Sequence, residues 1–259
     1  MKRWSFLLYG IACHLLFLAT FAYMAAFVGN WFVPKSIDLP PGGPIGWAVV
    51  VDLLLLGVFA VQHSWMARPG FKEVWMRMVP RPIERSTYVL ASCAVTVLLM
   101  WQRRAIDVVV WDVQNSVGRA ILIGLFAAGW LMVPAVSLMI SHFDLFGTRQ
   151  VWLYFQGREY TPLPFRTPLL YSRVRHPLYL GWALAFWATP TMTVRHLLFA
   201  GVLTAYMAVA AVIEERDLVS FYGNQYEAYR RRVPMFVPSL KARVRSETKL
   251  AGESEAVGP

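Results

Sequence analysis

The sequence is poor in charged residues and in cysteine. Asp, Glu, Lys and Arg together make up 15% of its 259 residues, whereas soluble domains average about 25%, so an ordinary soluble domain is excluded. The two cysteines, Cys13 and Cys93, stand inside apolar runs, which excludes a disulfide framework and a CxxC metal site. The chain also lacks glycine-rich phosphate loops, the GxSxG elbow and the HExxH motif, so it gives those enzyme classes no support.

Long apolar runs fill the sequence instead. Hydrophobic residues make up 57% of the chain, and the mean hydropathy is +0.46. Several runs approach the ~20 residues that a helix needs to cross a bilayer. The predicted spans are residues 5–29, 45–66, 86–101, 118–140, 177–190 and 195–213. The last two meet in a tight helical hairpin at residues 189–193 and need not both cross completely. The sequence therefore predicts an all-α polytopic membrane bundle of five or six transmembrane helices.

The basic residues predict the orientation of this bundle. If the N-terminus faces the cytosol, 20 of the 25 Lys and Arg residues fall on the cytosolic side, as the positive-inside rule requires. Both termini are therefore expected in the cytosol. The net charge of +10 then suits the anionic surface of the lipid bilayer, and the sequence shows no nucleic-acid-binding module. We expect one membrane domain over residues 1–240 and a polar, disordered cytosolic tail at 241–259.

A charged cluster is predicted at the cytosolic end of the last two spans. Residues 175–181 (RHPLYLG) place a cation and an imidazole directly before Pro177. Proline suits the first position of a helix, because it lacks only an N–H that would be unpaired there. The next apolar run ends in residues 214–217 (EERD). Because two consecutive spans return the chain to the same side, both clusters are expected to form one cytosolic-side pocket.

Four other residues are candidates for a catalytic role, because ionisable groups in or beside membrane helices are costly. His63 ends the second span, while His142 and Asp144 close the fourth span with Arg149 in reach. Each has a structural alternative. His63 could anchor a helix end, and the others could cap a helix and pair locally. A metal site is not expected, because His142 and Asp144 at i and i+2 do not share a helix face.

These motifs resemble those of a known family. Residues 175–181, 214–218 and 222–234 (YGNQYEAYRRRVP) are similar to the C-terminal pattern of the integral membrane methyltransferases, which include isoprenylcysteine carboxyl methyltransferases and phospholipid N-methyltransferases. Three further stretches extend the likeness over nearly the whole chain and look like the branch of bacterial methanethiol S-methyltransferases. These stretches are residues 62–68, 84–88 and 141–147. The resemblance implies substrate-side helices in residues 1–140 and a cofactor-binding half in 141–240.

The resemblance also implies S-adenosyl-L-methionine as the cofactor. The residues that its motifs assign to cofactor binding are Arg175, His176, Pro177, Tyr179, Gly181, Glu214, Glu215, Arg216 and Tyr226. The implied reaction transfers a methyl group to methanethiol, a small-molecule thiol, and releases dimethyl sulfide at a bacterial inner membrane. Because the thiolate is the nucleophile, we expect either a base or an arginine that favours the anion. The candidates for this role are His63, His142, Asp144 and Arg149.

Other functions stay open at this point. The same family methylates isoprenylcysteine carboxylates and lipid amines, and a carboxylate acceptor needs no base because it is already an anion. A membrane sterol reductase has a similar C-terminal motif but uses NADPH, whose phosphates need several Lys or Arg residues rather than the carboxylates at 214 and 215. A non-catalytic membrane protein accessory to nitrogen-oxide metabolism is the remaining alternative.

Overall fold

Five long apolar helices form most of the described part of the chain. The computed structural model describes residues 1–38, 44–102 and 108–237, so the predicted tail at 241–259 lies outside the described residues. Each of the five helices is long and apolar enough to cross a membrane. They are α1 (Lys2–Gly29), α2 (Ile45–Ala67), α4 (Glu84–Gln102), α5 (Ser116–Ile140) and α9 (Val194–Tyr222). Large apolar side chains such as Leu54, Leu131 and Val209 are exposed on their outer faces, which suits contact with lipid. The predicted all-α membrane bundle is confirmed.

Shorter elements connect these helices. They are α3 (Pro69–Trp75), a 3₁₀ turn (Arg81–Ile83), strand β1 (Val109–Asp112), α6 (His142–Leu145), α7 (Thr148–Phe155), a 3₁₀ turn (Leu169–Ser172), α8 (Pro177–Trp187), strand β2 (Thr191–Thr193) and α10 (Asn224–Arg232). The first four spanning helices alternate in direction along the chain, and α8 then returns the chain so that α9 runs in the same direction as α5. The first residues of α1 and the last residues of α2, α5 and α9 therefore lie at one end of the bundle, which we call the site end.

Helix α8 is too short to cross a membrane as a helix. Its 11 residues rise about 16 Å, and a bilayer core is about 30 Å thick. The chain continues in extended form to β2, which pairs antiparallel with β1 and places Thr193 opposite Val109. The expected helical hairpin is present, because α8 and α9 pack antiparallel, with Tyr179 hydrogen-bonded to Glu214 and Trp187 to Thr204. Its connection, however, is extended and includes β2 instead of forming a tight turn. Threonines around Pro190 favour extended backbone, and β1 supplies the hydrogen bonds that such backbone needs.

Helix α9 extends beyond the predicted membrane span, which ends at residue 213. It continues to Tyr222, so residues 214–217 lie within the helix. Glu and Arg are good helix formers, and the helix stops only at Gly223, whose φ of +56° suits glycine. Successive residues on a helix point about 100° apart. The charged side chains at 214–217 therefore face different neighbours.

A close contact between α5 and α8 holds the short helix in place. A Cβ atom on Gly129 would lie 2.5 Å from the backbone nitrogen of Ala185, so this approach requires glycine. Small residues allow similar approaches between other membrane helices. Beside the contact, the rings of Trp130 and Trp182 meet edge to face with their centroids 5.4 Å apart. The apolar core of the bundle surrounds these rings.

A buried polar cluster closes the opposite end of the bundle. The carboxylate of Asp38 accepts hydrogen bonds from Asn30 and Thr193, and its Oδ2 lies 3.6 Å from Nδ1 of His196. Burial raises the pKa of Asp38, but hydrogen bonds from these three residues lower it by more, so the pKa lies below its ordinary value of 3.8. The cluster joins the loop after α1 to the start of α9.

Candidate active site

The start of α8 lies where the sequence predicts it. His176 is the N-cap residue and Pro177 occupies the first turn, where its missing N–H leaves no helix bond unmade. The backbone N–H groups of Arg175 and His176 donate to the carbonyl oxygens of Pro234 and Met235, at 2.9 and 3.2 Å. The segment after α10 therefore runs beside the entry to α8, and α8, α9 and α10 meet at the site end.

Glu215 is a buried carboxylate whose charge is compensated. Its Oε1 accepts a hydrogen bond from Nε of Arg175 at 2.7 Å and lies 3.0 Å from Nε2 of His176. Its Oε2 accepts a second bond from Arg175 at 3.2 Å, and 5% of the side chain is exposed. Arg175 also donates to the carbonyl oxygens of Arg230 and Val233. This ion pair therefore joins α8 to α9 and to the end of α10.

Glu214 differs from its neighbour because 46% of its side chain is exposed. Its Oε2 accepts a hydrogen bond from the Tyr179 hydroxyl at 3.0 Å and lies 3.9 Å from Nδ1 of His176. The imidazole of His176 stacks on the ring of Tyr179, with centroids 5.3 Å apart. Glu214 thus presents a partly solvated carboxylate beside aromatic rings, and both features attract cations.

A cavity of about 220 Å³ opens into the bundle beside Tyr179. It lies between α1, α2, α4, α8 and α9. Much of its wall is aromatic, formed by Phe17, Phe21, Phe59, Trp182, Phe186 and Phe199. At the site end of the cavity, the Tyr179 hydroxyl donates to Glu214, and Tyr206 and Tyr88 line the wall nearby. The cavity therefore joins an apolar interior to a polar mouth.

His63 lies in the wall of this cavity, and of the four predicted catalytic residues it alone lines it. Its ring stacks on Phe59 with centroids 5.2 Å apart, and its Nδ1 lies 3.4 Å from the hydroxyl oxygen of Ser92. Its carbonyl oxygen accepts a hydrogen bond from Tyr88 at 3.1 Å. The backbone of His63 thus anchors α4 to α2, while the imidazole remains part of the cavity wall.

Sequence analysis missed Tyr206, a residue of α9 that lines the cavity and contacts α2. Its hydroxyl is 2.9 Å from that of Ser64, and its ring meets Phe59 edge to face. The available signal was a tyrosine inside the apolar run 195–213, because a buried tyrosine hydroxyl usually has a hydrogen-bond partner. Identifying Ser64 as that partner required the fold.

Asp144 lies in a separate network of charges. The carboxylate is buried and contacts Arg85 and Arg149, with Nη1 of Arg149 at 2.9 Å from Oδ1, and it accepts a hydrogen bond from Tyr160 at 3.2 Å. Arg149 also donates to the carbonyl and hydroxyl oxygens of Thr161, at 2.9 and 3.1 Å. The expected pairing with Arg149 is present, whereas Arg85, at the start of α4, is a partner that sequence spacing did not reveal.

The turn between α6 and α7 places this network against α4. Gly147 has a φ of +81°, and a Cβ atom there would lie 2.6 Å from the backbone nitrogen of Ser86. Only glycine meets both conditions without strain. The glycine that ends the motif at residues 141–147 therefore has a structural reason.

His142 packs against α1. Its Nδ1 lies 2.8 Å from the hydroxyl oxygen of Ser137, and its ring contacts those of His14 and Phe146 with centroids 5.1 and 4.7 Å apart. Burial, together with the charge of the neighbouring His14, lowers the pKa of His142 below its ordinary value of 6.5. The imidazole is therefore neutral at neutral pH.

The other predicted cofactor residues lie around the cluster at the start of α8. Gly181 faces α5, Tyr226 is buried between the rings of Phe165 and Tyr229, and Arg216 is exposed on α9. Burial is the main cause that raises the pKa of Tyr226, so its hydroxyl stays protonated. The predicted residues that the structure brings into direct contact are Arg175, His176, Tyr179, Glu214 and Glu215.

Comparisons with known proteins point to one family. The chain is 51% identical over 240 residues to the methanethiol S-methyltransferase of Crocosphaera subtropica, a match that covers 93% of this chain and 94% of that protein. It is 52% identical over 238 residues to the methanethiol S-methyltransferase of Mycobacterium tuberculosis, covering 92% and 98%. It is 51% identical over 247 residues to methanethiol S-methyltransferase 2 of Bradyrhizobium diazoefficiens, covering 95% of each. No protein-family model and no solved structure matches. Because these likenesses extend over almost the full length of both chains, this protein belongs to the methanethiol S-methyltransferase family.

Proposed function

We propose that this protein transfers a methyl group from S-adenosyl-L-methionine to methanethiol and releases dimethyl sulfide. The names of relatives at 51–52% identity support this reaction. The observation that carries it is the half-exposed carboxylate of Glu214 beside an aromatic-walled cavity that holds His63. The reaction needs a site for a cation next to a site for a small apolar thiol, and these two surfaces suit those two partners.

The residues at the site end fit the cofactor. The reactive sulfur of S-adenosylmethionine is a sulfonium cation, which a carboxylate and aromatic faces hold well. Glu214 and Tyr179 would hold this group, because Glu214 is partly solvated and the Tyr179 ring lies between it and the cavity. Arg175 and Glu215 keep α8 and α9 together around them. When bound, the cofactor supplies the methyl group, and S-adenosylhomocysteine, with a neutral sulfur, is the leaving group.

His63 is the proposed acceptor of the thiol proton. The thiolate, rather than the thiol, is the nucleophile, and an imidazole in the cavity wall can take the proton as the thiolate forms. The contact of its Nδ1 with Ser92 orients the ring. The products are dimethyl sulfide, S-adenosylhomocysteine and one proton, which passes to His63. The apolar wall excludes water, so the rest of the rate enhancement comes from positioning and dehydration.

We assign Asp144, Arg149 and His142 to positioning rather than to proton transfer. Two arginines and the Tyr160 hydroxyl already contact the carboxylate of Asp144. Protonation of Asp144 would break these charge-assisted contacts in a buried place, which is costly. His142 contacts α1, so its proposed role is to hold α6 against that helix.

The site end is proposed to face the cytosol, with the protein in the bacterial inner membrane. Of the 19 Lys and Arg residues in the part of the chain that the structure describes, 16 belong to segments at that end, as the positive-inside rule expects. A charged cofactor does not cross the apolar core of a bilayer unaided, so the cluster around Glu214 has to face the compartment that makes it.

Headspace gas chromatography of the purified protein tests the proposal. With S-adenosylmethionine and methanethiol supplied, dimethyl sulfide should form in step with S-adenosylhomocysteine, and it should not form when either reactant is omitted.

Replacing His63 by phenylalanine should lower turnover by at least about 100-fold at neutral pH, as loss of a general base does. The matched variant His142→Phe should stay within a few-fold of wild type. If a folded protein that binds S-adenosylmethionine makes no dimethyl sulfide, methanethiol is not its methyl acceptor and the proposal is wrong. If it binds NADPH instead, the reductase alternative replaces it.

A further inference from the structure

The cavity is much larger than methanethiol requires. Its volume is about 220 Å³, whereas an apolar cavity of about 150 Å³ already accommodates benzene. Apart from hydrogen, methanethiol consists of one carbon and one sulfur atom. A site built only for this acceptor would leave most of the space without contacts, and protein interiors rarely leave such space unfilled.

The cavity is also long. Its lining on α4 runs from Tyr88, near the site end, to Leu99 near the other end, a helical rise of roughly 16 Å. On α8 the lining runs from Tyr179 to Phe186, a rise of roughly 10 Å. An elongated space suits a molecule with a reactive head and an apolar tail.

Polar groups gather at one end of this space. His63, Tyr88, Tyr179 and Tyr206 line the site end, whereas the far end is lined by Met24, Leu99, Phe186 and Phe199. Between them, the hydroxyl of Thr96 donates to a carbonyl of its own helix at 2.8 Å, so it needs no hydrogen bond from a ligand. S-adenosylmethionine is charged and polar, and burying its polar groups among apolar side chains would be costly. The far end therefore suits the apolar tail of the thiol that accepts the methyl group.

We propose that the protein also methylates larger lipophilic thiols, such as butanethiol, hexanethiol and benzenethiol. The apolar group of the thiol occupies the far end of the cavity while its sulfur lies near His63. This inference rests on the proposed methyl transfer. For a thiol R–SH the products are R–S–CH₃, S-adenosylhomocysteine and one proton, which passes to His63, so only the group R differs from the methanethiol reaction.

The expected selectivity follows from where the thiol comes from. A thiol that enters from lipid exchanges one apolar surrounding for another, so its tail gains little free energy on entering the cavity. Contacts between the sulfur and the surrounding aromatic rings stabilise every bound thiol to the same extent. Turnover of butanethiol, hexanethiol and benzenethiol should therefore stay within about tenfold of methanethiol at equal membrane concentration. A pocket fitted to methanethiol would instead lose about 10- to 200-fold for an additional methylene.

The test is product formation with this series of thiols, measured by gas chromatography. In Thr96→Phe a ring fills the part of the cavity that lies one helical turn from Leu99, so hexanethiol turnover should fall at least tenfold while methanethiol turnover changes less than threefold. The matched control is Val97→Phe, because Val97 is the next residue on α4 and is 46% exposed on the outer face; it should change neither reaction. If Thr96→Phe does not fold, Thr96→Leu can replace it, because leucine fills less of the cavity. Hexanethiol turnover should again fall more than methanethiol turnover.

A binding measurement without cofactor checks the cavity separately. Hexyl methyl sulfide should raise the Tm of the wild-type protein in detergent but not that of Thr96→Phe, and it should inhibit methanethiol turnover in wild type. If methanethiol is methylated and the larger thiols react more than a hundredfold more slowly, the inference is overturned while the proposed function stands. If no thiol is methylated, both are overturned, and sulfide binding then reports only that the cavity accepts apolar ligands.

Discussion

Replacement of Glu214 by glutamine tests whether negative charge holds the cofactor. The substitution keeps the size of the side chain and its hydrogen bond with Tyr179 but removes the charge. At an effective dielectric constant of about 20, opposite unit charges about 5 Å apart attract by about 3 kcal/mol. Because 46% of the side chain is exposed, solvent screening reduces this attraction to about 1–2 kcal/mol. S-adenosylmethionine should therefore bind about 5- to 30-fold more weakly.

Titration calorimetry in detergent with two ligands separates charge from shape. S-adenosylhomocysteine carries a neutral sulfur where S-adenosylmethionine carries the sulfonium, so Glu214→Gln should change its affinity less than twofold. The matched control is Asp217→Asn, which removes an equal charge from a side chain that is 44% exposed on the same helix and paired with Arg68. It should change neither affinity by more than twofold. Equal losses for both ligands in Glu214→Gln, or no loss for either, would refute an electrostatic role.

Three further predictions concern stability. Glu215→Gln leaves Arg175, which precedes α8 and has 10% of its side chain exposed, without its charged partner and should lower the free energy of unfolding by about 3–5 kcal/mol; an unchanged Tm would contradict this. Gly129→Ala places a Cβ 2.5 Å from backbone of α8 and should lower Tm, whereas Gly124→Ala, with nothing within 4 Å, should not. Since the pKa of Asp38 lies below 3.8, its stabilisation is present above that pH and is lost as pH falls through the folded pKa. The Tm of Asp38→Asn should therefore fall less than that of the wild type as pH is lowered through this range.

The spanning helices could be predicted because each is an unbroken apolar run, and a membrane leaves such a run few alternatives to helix. The start of α8 was equally accessible, since Pro177 favours the first turn. The end of α9 was not. The apolar span ends at residue 213 and the charged residues 214–217 were expected on the same helix, but the helix continues past them to Tyr222. Hydropathy therefore locates where the apolar part of a helix ends, rather than where the helix itself ends.

The partners of the charged residues were harder to predict than their presence. Glu214 and Glu215 are neighbours in sequence, yet one contacts Tyr179 and the other Arg175, because the helix turns about 100° between them. The contact between Arg85 and Asp144 joins residues far apart in sequence. Composition and spacing could place these groups at one end of the bundle, but only the rotation of each helix decides which acid is neutralised and which is available to a ligand.

The rigidity of the site depends on the two faces of α8. Tyr179, Trp182 and Phe186 follow one another at spacings of three and four residues, so they form one stripe that lines the cavity. Gly181 and Ala185 lie on the opposite side, where α8 contacts α5. One helix thus carries both the tyrosine that contacts Glu214 and a wall of the cavity that is proposed to bind the thiol. In-line methyl transfer gains most of its rate from such fixed positioning, so any movement of α8 away from α5 should slow turnover more than it weakens the binding of either reactant.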